Sequence, residues 1–172
     1  SLARGGMTAQ EFIYGGRFAQ LLAKLQPGDY LFIQLATNDC ARFTQSEFKN
    51  LLLQFVLGAR EKGAIPVFVT SPERITCATD NLGEDGKYQV AETMKGFPDV
   101  MREIGRERNV PVIDLYAASV ELMREKGLTG MEELGYYVDD TVHFTEAGAN
   151  YLCDVIADGV NELKLPIAKF LK

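Results

Sequence analysis

The sequence has no tryptophan, one histidine and three cysteines in 172 residues. The cysteines, Cys40, Cys77 and Cys153, are far apart, and no two of them form a Cys-x-x-Cys spacing. Neither a zinc site nor a disulfide framework is therefore indicated. The odd number of thiols and the lack of a visible signal peptide favour the cytoplasm. A leader missing from the sequence would instead indicate secretion.

An excess of positive charge is also lacking, with 18 basic residues against 24 acidic ones and a net charge of -6. Without a basic stripe to neutralise phosphates, nucleic acid and anionic membranes are not expected as the main partners. No apolar run approaches the roughly 20 residues of a membrane span. The length and the 47% content of hydrophobic residues predict one globular domain over residues 1–172.

Three short apolar runs rich in strand formers are present, at residues 30–35, 65–70 and 110–115. The first run is expected to be a strand that is buried on both faces. Helices are predicted around and between the strands, from Thr8 to Leu25 with an interruption at Gly15-Gly16, and at 46–62, 91–108, 116–126 and 145–163. This alternation predicts an α/β fold with a parallel sheet covered by helices on both faces.

Several local signals refine these segments. Thr8 and Glu11 have the spacing of a capping box, and Ser46 is the expected cap of the second helical segment. Residues 75–90 are predicted to be a long polar loop and residues 127–142 another loop. Three strands are few for such a sheet, and we expect further strands to precede this sequence in the natural protein.

Two polar segments carry the candidate chemistry. Asn38 and Asp39 follow the first predicted strand, at the end of a parallel sheet where ligands bind. Asp140 lies three residues before His143, just ahead of a helix with Thr145 as its cap. An aspartate and a histidine on such a loop can act as orienting carboxylate and general base. A turn or cap at Asn38-Asp39 and a surface histidine at 143 are the alternative interpretations.

The order and spacing of the motifs resemble the SGNH (GDSL-type) hydrolases, in particular their rhamnogalacturonan acetylesterase-like branch. Residues 1–8 resemble the second sequence block of the family, and residues 32–39 resemble the third, which is normally Gly-His/Asn-Asn-Asp. Residues 140–143, followed by Gly148-Ala149, match the fifth block, Asp-x-x-His. The resemblance covers the whole chain.

This resemblance implies a three-layer α/β/α flavodoxin-like fold, with the N-terminal strands missing from this chain. It also implies a serine esterase without a cofactor or metal, acting on an acetylated, pectin-like carbohydrate. His143 would be the general base and Asp140 would hold its imidazole. The side chain of Asn38 and the backbone N–H of Gly6 would donate to the oxyanion.

The sequence departs from the family at two places. It has no Gly-Asp-Ser block and no Gly-x-Ser-x-Gly elbow to carry a nucleophile, and Ser46, Ser71 and Ser119 are explained as a helix cap, a strand end and a helix residue. Ala36-Thr37 also replaces the usual Gly-His/Asn pair. The expected function is an esterase whose serine lies upstream of this sequence. A non-catalytic carbohydrate-binding relative is the alternative, and a flavodoxin-like or phosphate-binding module is least favoured.

The missing first strand of the family would lie beside residues 30–35. Without it, these residues would form an exposed apolar edge that is prone to pair with another chain. We therefore expect an N-terminal segment or a second copy of the chain to cover this edge.

Overall fold

The computed structural model describes residues 2–74, 93–94, 96–138 and 142–171. The predicted loop at 75–90 and the side chain of Asp140 lie outside these residues. The chain forms two compact units. The first unit comprises Ser1–Ser71 and Met94–Ile113, and the second comprises Pro72–Thr93 and Asp114–Lys172.

The first unit begins with two short helices, α1 (Ala9–Tyr14) and α2 (Arg17–Leu22). The predicted capping box of α1 is confirmed: the Glu11 N–H donates to Thr8 Oγ1 at 3.2 Å, and the Thr8 N–H donates to Glu11 Oε2 at 2.8 Å. The predicted interruption is confirmed as well, because Gly16 adopts a left-handed φ of 80° between the two helices.

The sheet of the first unit consists of β1 (Tyr30–Ile33), β2 (Ile65–Val69) and β3 (Val112–Ile113). The strands are parallel and lie in the order β1-β2-β3, with Tyr30 opposite Ile65. The predicted α/β alternation and the parallel pairing are therefore confirmed, although each strand is shorter than its apolar run.

The prediction that β1 is buried on both faces is wrong. Leu31 and Ile33 are buried, whereas 37% of Phe32 is exposed. The reason is the place of β1 at one edge of the sheet, where the described residues put no further strand beside it. The segment or second copy that would cover this edge stays a prediction.

Two longer helices complete the first unit, α3 (Gln45–Glu61) and α4 (Phe97–Arg108). The cap of α3 is Thr44 and not Ser46, because Thr44 and Glu47 form the reciprocal capping box. The predicted core face of α3 is confirmed by five buried side chains: Phe48, Leu51, Leu52, Phe55 and Val56. Within the described residues α4 begins only at Phe97, with Pro98 in its first turn, where no N–H is needed.

The second unit contains α5 (Leu115–Glu133), α6 (Glu146–Glu162) and a 3-10 helix (Pro166–Phe170). The prediction of a loop from residue 127 is wrong for its first part. Gly127 breaks the helix with φ 65° and ψ -178°, but helical structure resumes and continues to Glu133.

The predicted start of α6 is confirmed, because the Gly148 N–H donates to the Thr145 side chain at 3.2 Å. Along the predicted core face of α6, Leu152 and Val160 are buried, while Val155 and Ile156 are half-buried. None of the helices in the described part of the chain combines the length and the apolar character that a bilayer crossing requires.

Candidate active site

The loop after β1 is organised by Asp39, which is 1% exposed. Its Oδ1 accepts the Ala9 N–H at 2.8 Å, and its Oδ2 accepts the Ala36 N–H at 3.2 Å. One carboxylate therefore joins the end of the β1 segment to the first residue of α1. Asn38 occupies the N-cap position of a short 3-10 helix, Asp39–Ala41, but its side chain forms no capping hydrogen bond. The alternative interpretation of a turn is therefore confirmed, and that of a side-chain cap is not.

Burial raises the pKa of Asp39 above its usual value, and the N–H groups of Ala9 and Ala36 act in the opposite direction. Sequence reasoning assigned Asp39 no role beyond the turn. The third-block resemblance contained the signal, since this aspartate is one of its residues.

Asn38 is half-buried beside the loop that contains Gly6. Its Nδ2 donates to the carbonyl oxygen of Met7 at 3.3 Å, and a primary amide has a second N–H that can donate elsewhere. The structure thus brings together the two residues predicted to stabilise an oxyanion, on adjacent segments of the first unit. Gly6 is exposed and has a φ of 78°, a conformation that favours glycine.

The Gly6 loop borders an open depression of about 520 Å³ on the first unit. Its lining consists of six residues from the loop and from α1 or its end: Arg4, Gly5, Gly6, Met7, Glu11 and Gly15.

Ala36 adopts a φ of 123° and is completely buried. Residues other than glycine rarely adopt this backbone conformation. Glycine, the residue of the resembled family at this position, adopts it without steric cost. The chain therefore retains the backbone path of a glycine loop with an alanine in it.

His143 lies in the second unit and is exposed. Its carbonyl oxygen accepts the Val138 N–H at 2.9 Å, and its neighbour Phe144 forms an isolated antiparallel bridge with Tyr137. The Thr145 N–H donates to the carbonyl of Tyr136 at 3.2 Å. We call these two paired stretches, residues 136–138 and 143–145, the histidine bridge. The pairing of Asp140 with His143 stays a prediction.

An aromatic cluster of Tyr136, Tyr137, Phe144 and Tyr151 packs around the histidine bridge. The ring of Tyr136 lies 4.7 Å from that of Tyr137, 5.3 Å from Phe144 and 5.8 Å from Tyr151, all edge-on. Tyr136 is 1% exposed, and this burial raises the pKa of its hydroxyl well above the usual value. Sequence reasoning missed the cluster, although Tyr136-Tyr137 and Phe144 flank the predicted loop.

Gly148 allows α6 to approach this cluster closely. A Cβ at residue 148 would lie 2.0 Å from the carbonyl oxygen of Tyr136. Because that contact is with backbone, no side-chain rotation would relieve it. The glycine of the fifth-block resemblance is thus required by packing.

Glu73 is a second residue that sequence reasoning missed, and its side chain is completely buried. Its Oε1 accepts the Arg74 N–H at 2.7 Å and the hydroxyl of Thr93. Its own N–H donates to Ser119 Oγ at 2.9 Å, and its carbonyl accepts the hydroxyl of Tyr137. Glu73 therefore links several segments of the second unit.

The hydroxyls of two serines, Ser71 and Ser119, form structural hydrogen bonds. Ser71 donates to the carbonyl of Leu35 at 3.0 Å, and Ser119 donates to the carbonyl of Tyr116 at 2.9 Å. These contacts agree with the interpretation of Ser71 as a strand-end residue and Ser119 as a helix residue.

Comparisons with known proteins add to this geometry. A model of the GDSL-like Lipase/Acylhydrolase family matches residues 1–151. The chain is similar to the rhamnogalacturonan acetylesterase RhgT of Bacillus subtilis, with 34% identity over an aligned length of 184. The alignment covers 98% of this chain and 76% of RhgT.

Two solved structures show a related fold. The YxiM protein of Bacillus subtilis matches with a TM-score of 0.80 and 24% identity over 96% of this chain, which spans 46% of the YxiM chain. Axe2, an acetylxylan esterase from Geobacillus stearothermophilus, matches with a TM-score of 0.67 and 19% identity over 90% of this chain and 68% of its own. At these identities the matches show the fold alone, and they confirm the predicted flavodoxin-like α/β class.

Proposed function

The chain belongs to the GDSL-like lipase/acylhydrolase family of ester hydrolases, and from this premise we propose that it forms part of a serine esterase that removes acetyl groups from a pectin-like carbohydrate. The observation that carries the proposal is the hydrogen bond from the Asn38 amide to the carbonyl of Met7, directly beside Gly6. The 34% identity to a rhamnogalacturonan acetylesterase supports the choice of acyl group and substrate class.

In this mechanism His143 acts as the general base. The imidazole takes the proton of a serine hydroxyl while the serine oxygen attacks the acetyl carbonyl, and it then returns the proton to the departing sugar alcohol. A water molecule, deprotonated by the same imidazole, releases acetate and regenerates the serine. Asp140 holds the imidazole in the required tautomer.

Asn38 and Gly6 have a different task, which is to stabilise the negative charge on the tetrahedral oxygen. The second N–H of the Asn38 amide and the backbone N–H of Gly6 donate to it. The loss of one such donor typically costs about 3 kcal/mol of transition-state stabilisation.

The nucleophile in this proposal is a serine in a Gly-Asp-Ser block that lies outside residues 1–172. Ser71 and Ser119 are unsuited to the role, because their hydroxyls already donate to backbone carbonyls. An intact mass of the natural protein under denaturing conditions, followed by sequencing of its N-terminal region, tests where that serine lies.

Acetate release from acetylated pectin oligosaccharides, measured with the natural protein and its variants, tests the whole proposal. His143→Ala should abolish the release, and Asn38→Ala should lower kcat about 10²- to 10³-fold. Asn50→Ala, which truncates an exposed asparagine on α3, should stay within about twofold of the parent. Full activity of His143→Ala would refute the mechanism.

A second candidate function is carbohydrate binding without catalysis. It is favoured by Ala36-Thr37, which replaces residues that the resembled family keeps. Titration calorimetry with the same oligosaccharides, combined with no acetate release by a protein that contains the Gly-Asp-Ser block, would establish this function instead.

A further inference from the structure

The contacts of the histidine bridge point to a role for a hydroxyl on the strand paired with His143. Tyr137 pairs with Phe144, and the neighbouring Val138 pairs with His143 itself. The position of the His143 backbone therefore depends on where residues 137–138 are held.

Ring packing and a hydrogen bond both hold residue 137. Its ring packs against Tyr136 at 4.7 Å and Phe144 at 5.0 Å. Its hydroxyl donates to the carbonyl oxygen of Glu73, a residue 64 positions earlier in the chain. Both rings belong to the bridge itself, whereas the hydroxyl links the bridge to a segment far away in the sequence.

Glu73, which accepts this bond, is itself held by several hydrogen bonds. Its carboxylate is completely buried and accepts the Thr93 hydroxyl and the Arg74 N–H. Its N–H donates to Ser119 on α5. These surrounding hydrogen bonds restrict the movement of the Glu73 carbonyl. The Tyr137 hydroxyl that donates to it is therefore restricted as well.

We propose that Tyr137 is a positioning residue for His143, with the Glu73 backbone as its fixed support. Tyr137 acts on the orientation of the imidazole through the paired backbone and does not touch the reacting atoms. The part of this inference that concerns catalysis rests on the proposed esterase function, whereas the structural part does not.

The test uses the single histidine of the chain. With the imidazole carbons of histidine labelled with 13C, one set of ring signals reports on His143 alone. Tyr137→Phe removes the hydroxyl and keeps the ring. We expect the His143 ring signals of this variant to show increased fast motion or exchange broadening, while the backbone spectrum away from residues 136–145 stays unchanged.

Tyr151→Phe is the matched control. Tyr151 packs on Tyr136 at 5.8 Å, but the described residues show no hydrogen bond from its hydroxyl to the histidine bridge. Removal of the Tyr151 hydroxyl should leave the ring signals of His143 unchanged. Thr93→Val and Thr93→Ser form a second pair, since only the serine keeps the hydroxyl that donates to Glu73. The valine variant should broaden the signals less than Tyr137→Phe does, and the serine variant should restore them.

Kinetics of the natural protein provide the second readout. Tyr137→Phe should lower kcat about tenfold and leave KM within about twofold, because substrate binding does not depend on the imidazole orientation. Unchanged His143 signals in Tyr137→Phe would overturn the inference, whatever the activity. An inactive parent protein with altered signals in the variant would refute the proposed esterase and leave the positioning role supported.

Discussion

The Asn38 loop of the first unit and the histidine bridge of the second are held in place by different physical means. The Asn38 loop depends on a buried carboxylate, Asp39, which accepts two backbone N–H groups. The histidine bridge depends on packed aromatic rings and on the close approach of α6 at Gly148. Hydrogen bonds to a carboxylate respond to protonation, and ring packing responds to volume. The two candidate regions should therefore fail under different perturbations.

The largest expected effect is that of Gly148→Ala in the second unit. The new Cβ would overlap the Tyr136 carbonyl, so the backbone must shift, and the free energy of unfolding should fall by about 3 kcal/mol. Urea denaturation followed by circular dichroism measures this loss. Gly5→Ala is the control, because a Cβ there meets nothing within 4 Å. Equal stability of the two variants would show that the packing of Gly148 is not as close as described.

Asp39→Asn should have the next largest effect, a loss of about 2 kcal/mol, because one of the two backbone N–H groups would face an amide N–H instead of an acceptor. Asp29→Asn is the matched control, since Asp29 is exposed and accepts one N–H, that of Gln26. Asp29→Asn should lower the free energy of unfolding by less than about 1 kcal/mol.

The difference in stability between the parent and Asp39→Asn should depend on pH, because the pKa of Asp39 is raised in the folded parent. A carboxyl group with a raised pKa in the folded state favours folding when protonated. That contribution is lost as the pH rises above 3.8 and through the folded pKa. The stability gap between Asp39→Asn and its parent should thus narrow from pH 4 to pH 7. A gap that widens with pH would contradict the raised pKa.

Ala36→Gly should have a smaller effect of opposite sign. Glycine accepts the φ of 123° at this position without steric cost, and the gain should exceed the loss of one buried methyl group. We expect an increase of about 1 kcal/mol in the free energy of unfolding. Ala64→Gly, at a buried position without a positive φ, should instead be destabilising. A loss of stability in both variants would refute the conformational argument.

The smallest effect is predicted for Tyr136→Phe. The Tyr136 hydroxyl is buried and has no hydrogen-bond partner among the described residues, so its removal should change stability by less than about 0.5 kcal/mol or raise it slightly. Tyr137→Phe, which breaks the bond to Glu73, should cost about 1 kcal/mol. Thermal melts of both variants compare one hydroxyl that has a partner with one that has none. A clear loss in Tyr136→Phe would indicate a partner outside the described residues.

Prediction from the sequence worked best where the pattern is local. The capping box of Thr8 and Glu11, the core face of α3 and the start of α6 at Thr145 all depend on residues three or four positions apart. It failed at the cap of α3, where two nearby candidates were present and Glu47 selected Thr44 as its reciprocal partner. It also failed at Gly127, because a glycine that ends one helical segment does not prevent another from following.

Motif order also predicted Asn38, Gly6 and His143 as site residues, and this assignment stays a prediction. The residues that hold these three in place were not predicted. Asp39 is linked to Ala9, which is 30 positions away, and Tyr137 to Glu73, which is 64 positions away. Periodicity and spacing do not report on such contacts. The sequence by itself therefore determined the α/β alternation, the caps of α1 and α6, and the family. Only the tertiary structure decided that Asp39 joins two segments and that Tyr137 and Gly148 hold the histidine bridge, because these contacts exist only after distant parts of the chain have packed together.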